Sequence, residues 1–290
     1  MDSILLFVLV LLYTFQSFFC KLYTTACKVE KSATPVFNAL FGGVIGLVTL
    51  AIYGFQFHPS AITWMFGLTN AVLLFLYNTA LIGASKRGSY AFLSLCMLFG
   101  GILVPLFVSL ILGASFTGIQ IIAILIMLLS FVIINAKGIS LKGSQGAYYL
   151  FCILLFFSNG FFGVVMDAQQ LALDGGERGE MIVISYLGTT ILSLLYILVT
   201  QRKDFLPSFK VGVKALCFGL GSGAVAVAAV NLLMFLLNRI QPATILYTID
   251  NGGVLVASAV FAAVFLKEKI AAHQAAGYVL SLLSIVLLSL

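Results

Sequence analysis

Ten apolar runs, each long enough to cross a bilayer and set apart by short polar or Gly/Pro breaks, leave this chain few ways to fold. Hydrocarbon offers the backbone no hydrogen bonds, so a run of about 20 apolar residues reads as a spanning helix that bonds within itself. The runs are 3–23, 35–54, 61–85, 88–112, 116–136, 147–172, 179–200, 213–238, 241–266 and 271–290. The most polar connections are "KSATP", "KGISLKGSQG", "LDGGERGE" and "TQRKDFLPSFK", too short for a soluble domain. Charged residues make up 8% of the 290 and the mean hydropathy is +1.18, against about 25% charged in a soluble domain. The expected fold is an all-α integral membrane protein with ten transmembrane helices. "MDSILLFVLVLLYTFQSFFCK" carries Asp2 where a signal peptide has a basic region, and has no small-residue cleavage site, so it reads as the first span.

Charge orients the spans. With loops numbered in order, the odd ones hold Lys21, Lys28 and Lys31; Lys86 and Arg87; Lys137 and Lys142; Arg202, Lys203, Lys210 and Lys214; and Lys267 and Lys269. The even loops hold only Arg178 and Arg239. Cytoplasmic loops carry the excess of Lys and Arg, so both termini are expected outside a cell membrane. The net charge of +6 then marks loops rather than a nucleic-acid partner. Cys20, Cys27, Cys96, Cys152 and Cys217 show neither a disulfide framework nor a zinc spacing. No metal or cofactor is expected, and no oligomer is required.

Three short matches recur in order. "LLYTFQSFF" from Leu11 returns as "LLFFSNGFF" from Leu154, "GGILV" from Gly100 returns as "GGVLV" from Gly252, and Asn78 has its counterpart in Asn231. The offsets are 143, 152 and 153, which suggests one duplication with small insertions, residues 1–140 and 141–290. Each half holds five spans. Five is odd, so the second half enters the membrane inverted, the architecture of secondary transporters.

The whole chain resembles the ten-helix EamA branch of the drug/metabolite transporter superfamily. The clearest part is "QPATILYTIDNGGVLVASAVFAAVFLKEKIAAHQAAGYVLSLLSIVLLSL", with Pro242 early in the ninth span, the "FLKEKI" turn and Gly277 early in the tenth. The corresponding first-half turn, "LILGASFTG", has no acid where Glu268 stands in the second. The resemblance implies carrier-type transport of a small metabolite through a central cavity between the halves. Members of that family are usually drawn with cytoplasmic termini, opposite to the orientation of the loop charges here.

Candidate site residues are polar groups at membrane depth. Asp250 lies mid-way through the ninth span, where an ionised carboxylate facing lipid would cost about 2.5–3.5 kcal/mol. Thr244, Tyr247, Thr248, Asn251 and Ser258 follow helical spacing and make one polar stripe. The stripe is expected to line a wet cavity, with Asp250 binding a cationic group or carrying a coupling proton. A structural carboxyl is the alternative. Gln16 and Asn159 are repeat counterparts, as are Asn78 and Asn231, and these amides either line the cavity or bond helix to helix. Tyr90, opening the fourth span, is the counterpart of the Pro242 to Leu246 region. "GGVIG" (Gly42 to Gly46) and "GLGSG" (Gly219 to Gly223) are read as close packing of the second and eighth spans.

The function expected is secondary active transport of a small neutral, zwitterionic or cationic metabolite, amino-acid-like, by alternating access. No GxxxxGK[ST] loop is present. A non-transporting scaffold or accessory subunit is the second reading, and an intramembrane lipid-processing enzyme the third. One deep acid without a partner is poor catalytic equipment, so an enzyme is not expected. A phosphate-bearing substrate would lack a basic partner at depth, Lys21 excepted.

Overall fold

The structure is a computed structural model that describes residues 2–27, 33–85, 87, 90–137, 146–202, 205–265 and 270–288. Among them the regular secondary structure is all helix: α1 (Asp2–Ala26), α2 (Ala33–Ile52), α3 (Ala61–Ser85), α4 (Tyr90–Ile111), α5 (Gly118–Asn135), α6 (Gly146–Ala172), α7 (Arg178–Thr200), α8 (Phe205–Ser208), α9 (Val213–Leu237), α10 (Ala243–Phe265) and α11 (Ala272–Leu288). The single turn of α8 lies in the connection read as loop. The other ten helices match the ten apolar runs, their described ends falling within three residues of the expected ones. Nine are long and apolar enough to cross a membrane; α11 is equally apolar but has 17 described residues. Large apolar side chains point outward along them, including Phe7, Leu47, Leu125 and Val279.

Local chemistry sets the helix ends. Thr117 caps α5: its Oγ1 accepts from the Gln120 N–H at 3.3 Å, while Gln120 Oε1 accepts from the Thr117 N–H at 3.0 Å. Pro105 sits inside α4 without ending it, and denies the Gly101 carbonyl its helical donor.

The helices gather into two compact units, and both draw on both halves of the sequence. One comprises Met1–Thr14, Ala80–Val164 and Arg239–Leu290; the other comprises Phe15–Thr79 and Val165–Asn238. In the first unit the most extensive pairing is α5 with α11, over a core that includes Ile102, Met127, Phe131 and Ile249. The Ser130 and Ser281 hydroxyls share a 2.7 Å hydrogen bond, and Ser284 Oγ donates to the Ala123 carbonyl at 2.6 Å. In the second unit α2 packs against both α7 and α9. Gly42 and Gly46 face α7, where an added Cβ would lie 2.6 Å from the Tyr186 carbonyl oxygen and 2.5 Å from Leu187 Cγ. The Thr190 hydroxyl donates to the Ala39 carbonyl. On α9 it is Gly223 that meets α2, at Val44. The expected contact between second and eighth spans is therefore real, but the glycines of α2 serve a different neighbour.

Two of these contacts share a number. Ser130 and Ser281 are 151 residues apart, and so are Ala39 and Thr190. Both serines are completely buried, which fits a bond with no water to replace it. A double-mutant cycle of Ser130→Ala with Ser281→Ala is expected to give a coupling near the 0.6 kcal/mol average for such bonds, up to about 1.7 kcal/mol. Thermal unfolding of the four variants in detergent measures it; additive effects would deny the bond any weight.

Chain ends and loops confirm the alternating direction of the helices. In the second unit Glu177, before α7, reaches Ser60, before α3, and Gly175 lies against Asn238, after α9. At the opposite end Tyr23 Oη donates to the Ala33 carbonyl at 2.6 Å and packs with Val36, Ile197 and Val211. In the first unit Arg239 pairs with Asp2, Nε to Oδ1 at 3.0 Å. The start of α1 and the α9–α10 connection thus share an end, as eight long helices of alternating direction between them require.

Candidate functional site

The site is built on α10, and its register follows from four residues in two turns. Thr244 and Thr248 are completely buried. Thr248 Oγ1 donates to the Thr244 carbonyl at 2.7 Å, and the Thr244 and Ser109 hydroxyls lie 3.3 Å apart. Tyr247 Oη donates to the Gly163 carbonyl at 2.9 Å; a Cβ at Gly163 would stand 2.9 Å from the ring, so only glycine lets the tyrosine lie there. The polar stripe read from the sequence is therefore turned inward onto α4 and α6. Its Thr244–Thr248 portion is dry and spends its hydrogen bonds on protein, where a wet wall was expected.

One turn further along, α4, α6 and α10 meet at an amide pair. Asn159 Nδ2 donates to the Met97 carbonyl at 2.8 Å, and Asn251 Nδ2 donates to the Tyr247 carbonyl at 2.8 Å. Both flank Gly101: a Cβ there would lie 2.9 Å from Asn159 Nδ2 and 3.3 Å from Asn251 Nδ2. Beside Asn251 in sequence, Asp250 is half-buried, and its Oδ1 is buried without a hydrogen-bond partner. It stands about 10 Å along α10 from the first helical residue. Gly252 and Gly253 receive neighbouring helices: Met127 of α5 packs on the first and Val10 of α1 on the second. Asp250 and Gly253 share a face, one turn apart.

The structure thus brings Asn159, Tyr247, Asp250 and Asn251 together in the first unit. The other expected residues lie elsewhere. In the second unit Gln16 is half-buried and its carbonyl accepts from Ser222 Oγ at 3.2 Å. Asn231 Nδ2 donates to the Val227 carbonyl at 2.8 Å and to Thr49 Oγ1 at 3.3 Å, and Asn78 is half-buried on α3. Tyr90 opens α4, and its side chain lies outside the described residues. Among the described residues no three His, Cys, Asp or Glu side chains are grouped to hold a metal.

A second polar cluster lies near the end of α6, where Asp167, Gln169 and Gln170 read in the sequence as a hydrated helix end, with an entrance residue at Asp167 as the alternative. Gln169 and Gln170 near the end of α6 are completely buried. Gln169 Nε2 donates to Thr63 Oγ1 at 3.1 Å and to the Gly176 carbonyl at 3.3 Å, and Gln170 Nε2 donates to Gln169 Oε1. Next to them Glu177 adopts a left-handed φ of 51° and takes two hydrogen bonds at 2.9 Å on Oε2, from the Ser60 N–H and hydroxyl. Burial pushes the Glu177 carboxyl up, but hydrogen bonds from Thr63 and Ser60 outweigh it and hold the group below its ordinary value. A lowered folded value stabilises fully above the unfolded value of about 4.3 and is lost as pH falls through the folded value. Thermal unfolding is therefore expected to weaken below about pH 4.3 more steeply in the native protein than in Glu177→Gln. Equal acid slopes would show that these bonds do not favour the charged form.

No family model matches the chain, and the comparison with curated proteins finds no match. Among solved structures, one crystal structure aligns over 99% of this chain and 98% of that one, with a TM-score of 0.73 at 17% identity. At that identity the likeness speaks for the fold alone.

Proposed function

We propose that the chain is a multi-pass protein of the cell membrane and a secondary transporter, built as two inverted five-helix repeats like those of the EamA family it resembles. Its substrate is a small neutral, zwitterionic or cationic metabolite of amino-acid type. Both termini face outward and the basic loops face the cytoplasm, following the Lys and Arg distribution.

The observation that carries this reading is the pair of self-contacts at one spacing. When a residue touches its own repeat counterpart, the two copies are related by a local two-fold. Ser130 with Ser281 and Ala39 with Thr190, each 151 apart, supply such contacts on two different helix pairs. The spacing falls between the 143 and the 152 and 153 of the sequence matches. Inverted copies with near-equal packing are what alternating access requires, since each conformation is the other with the halves exchanged. The Asp250 carboxylate oxygen, buried and unbonded in a helix of hydropathy 1.4, supports a substrate or proton role.

Purified protein in proteoliposomes tests it. Uptake of labelled amino acids and amines is expected, and an imposed pH gradient should increase accumulation of the true substrate. The dry Thr244–Thr248 segment favours a second reading, a scaffold whose polar groups only join helices. A protein that inserts, stays folded and moves no solute across a broad metabolite panel would be that scaffold.

A further inference from the structure

α4 and α6 run in the same direction and meet rung by rung. Phe92 and Tyr148 hold their ring centroids 6.2 Å apart, the Cys96 and Cys152 thiols share a hydrogen bond, Gly100 meets the Phe156 backbone, and Val104 meets Gly160. Each rung joins a residue of α4 to the one 56 positions later, and successive rungs are four residues apart. That spacing keeps the rungs on one face of each helix. The two cysteines are therefore paired by a register that other contacts fix on both sides of them. Each lies about 9 Å along its helix from the first residue, Tyr90 or Gly146.

A disulfide asks for Cα atoms about 4.4–6.8 Å apart and for side chains that point at each other. One turn on from the pair, a Cβ on Gly100 would stand 2.8 Å from the Phe156 Cα, so the two backbones are near contact there. The hydrogen bond shows that the two sulfurs already face each other, and both cysteines are free. The completely buried Tyr148 holds the pair in place, since its hydroxyl shares a hydrogen bond with the Cys152 sulfur.

Access comes from outside the seam. Phe92, Cys96, Tyr149, Cys152 and Phe156 are among the residues lining an apolar opening of about 250 Å³. Cys96 is half-buried there and Cys152 is 2% exposed, so Cys96 is the sulfur a reactant meets first. Such an opening admits a small uncharged reactant and turns away ions.

We propose that Cys96 and Cys152 are a redox pair, oxidised by hydrogen peroxide to a disulfide that joins α4 to α6. The Cys96 sulfur attacks one peroxide oxygen, the O–O bond breaks, and the departing hydroxide leaves as water with the Cys96 proton. The Cys152 sulfur then attacks the sulfenic sulfur of Cys96. The S–O bond breaks, and a second hydroxide leaves as water with the Cys152 proton. Two electrons pass from the two sulfurs to the peroxide. A thiol exchanging with the disulfide returns both to the reduced form. The bond falls one residue from Met97, whose carbonyl holds the Asn159 amide, so it ties the seam beside the amide pair to the redox state. Neither transport nor a membrane is assumed.

Purified full-length protein in detergent, first reduced with a phosphine and then given hydrogen peroxide, tests it. Thiolate is scarce in apolar surroundings, so the reaction is slow and the dose is millimolar. After quenching, unfolding and maleimide labelling, peptide mass spectrometry is expected to find Cys96 linked to Cys152. Labelling of the two should be lost together and restored by the phosphine. Oxidised glutathione, large and charged, should leave both labelled. In Cys152→Ser the link cannot form, and dimedone should trap a sulfenic acid on Cys96; the native readouts need no variant to fold. Exposed Cys217 gauges the dose. Cys96 and Cys152 still fully labelled once Cys217 is oxidised, or linked only to other cysteines, would overturn the pair. A link made as readily by oxidised glutathione, or no Cys96 adduct in folded Cys152→Ser, would overturn the peroxide route.

Discussion

Asp250→Asn is expected to abolish pH-gradient-driven uptake in proteoliposomes while the protein remains folded and at least as stable as the native chain. Asparagine has the shape of aspartate but neither its charge nor its titration. The native carboxylate has an oxygen buried without a donor, and an unsatisfied buried polar atom costs about 1–3 kcal/mol, more when charged. Removing the charge relieves part of that cost, which should leave the melting temperature unchanged or raised. A group retained at the expense of stability, deep in an apolar helix, is best explained by what it binds. Two controls bracket the result. Asn251→Ala removes a local bond to the Tyr247 carbonyl and should lower uptake only partly. Asp250→Glu keeps the charge and should retain some dependence on the gradient. Full gradient-driven uptake in Asp250→Asn would end the proton role.

Gly100→Ala should be the most destabilising small substitution at the α4–α6 seam. A Cβ at Gly100 would fall 2.1 Å from the Phe156 carbonyl oxygen and 2.8 Å from that residue's Cα. Backbone atoms cannot rotate away, so the helices must separate. From the other side, a Cβ at Gly160 would meet the Gly100 carbonyl oxygen at 2.5 Å and Val104 Cβ at 2.3 Å. Overpacking costs about 1–3 kcal/mol or more, against at most about 1 kcal/mol of helix propensity gained by replacing glycine with alanine. The expected result is a melting temperature lowered by several degrees, with reduced uptake because Gly101 and the Asn159–Asn251 pair sit on the same seam. Gly146→Ala, where an added Cβ meets open space, should be neutral. A Gly100→Ala protein as stable as the native one would show that α4 and α6 pack more loosely than this geometry.

The helices were legible in the sequence because apolar run length is a one-dimensional property, and the bilayer thickness that sets it is known in advance. The facing of the helices was legible only in part. The helical spacing of Thr244, Tyr247, Thr248 and Asn251 put them on a common side of α10, but periodicity cannot tell a side that meets water from one that meets a carbonyl. Thr248 turned out to bond its own helix and Tyr247 to bond Gly163. Gln169 and Gln170 misled in the opposite direction. Two amides near a helix end look solvated, yet both are completely buried because the "LDGGERGE" connection folds back through the Gly176 carbonyl. Nothing in the chain order says that the Arg87 guanidinium lies over the Phe151 ring.

The pairing of α2 with α7 and of α5 with α11 also bears on the order of assembly during synthesis. When the fifth helix leaves the ribosome, α2 and α5 have each still to meet their principal neighbour, and for α5 that neighbour is the last helix made. Individual helices can insert and wait, since their backbones are already satisfied. In the membrane proposed above the early ones would wait with small-residue faces open to lipid, and the fold closes only once the chain is almost entirely translated.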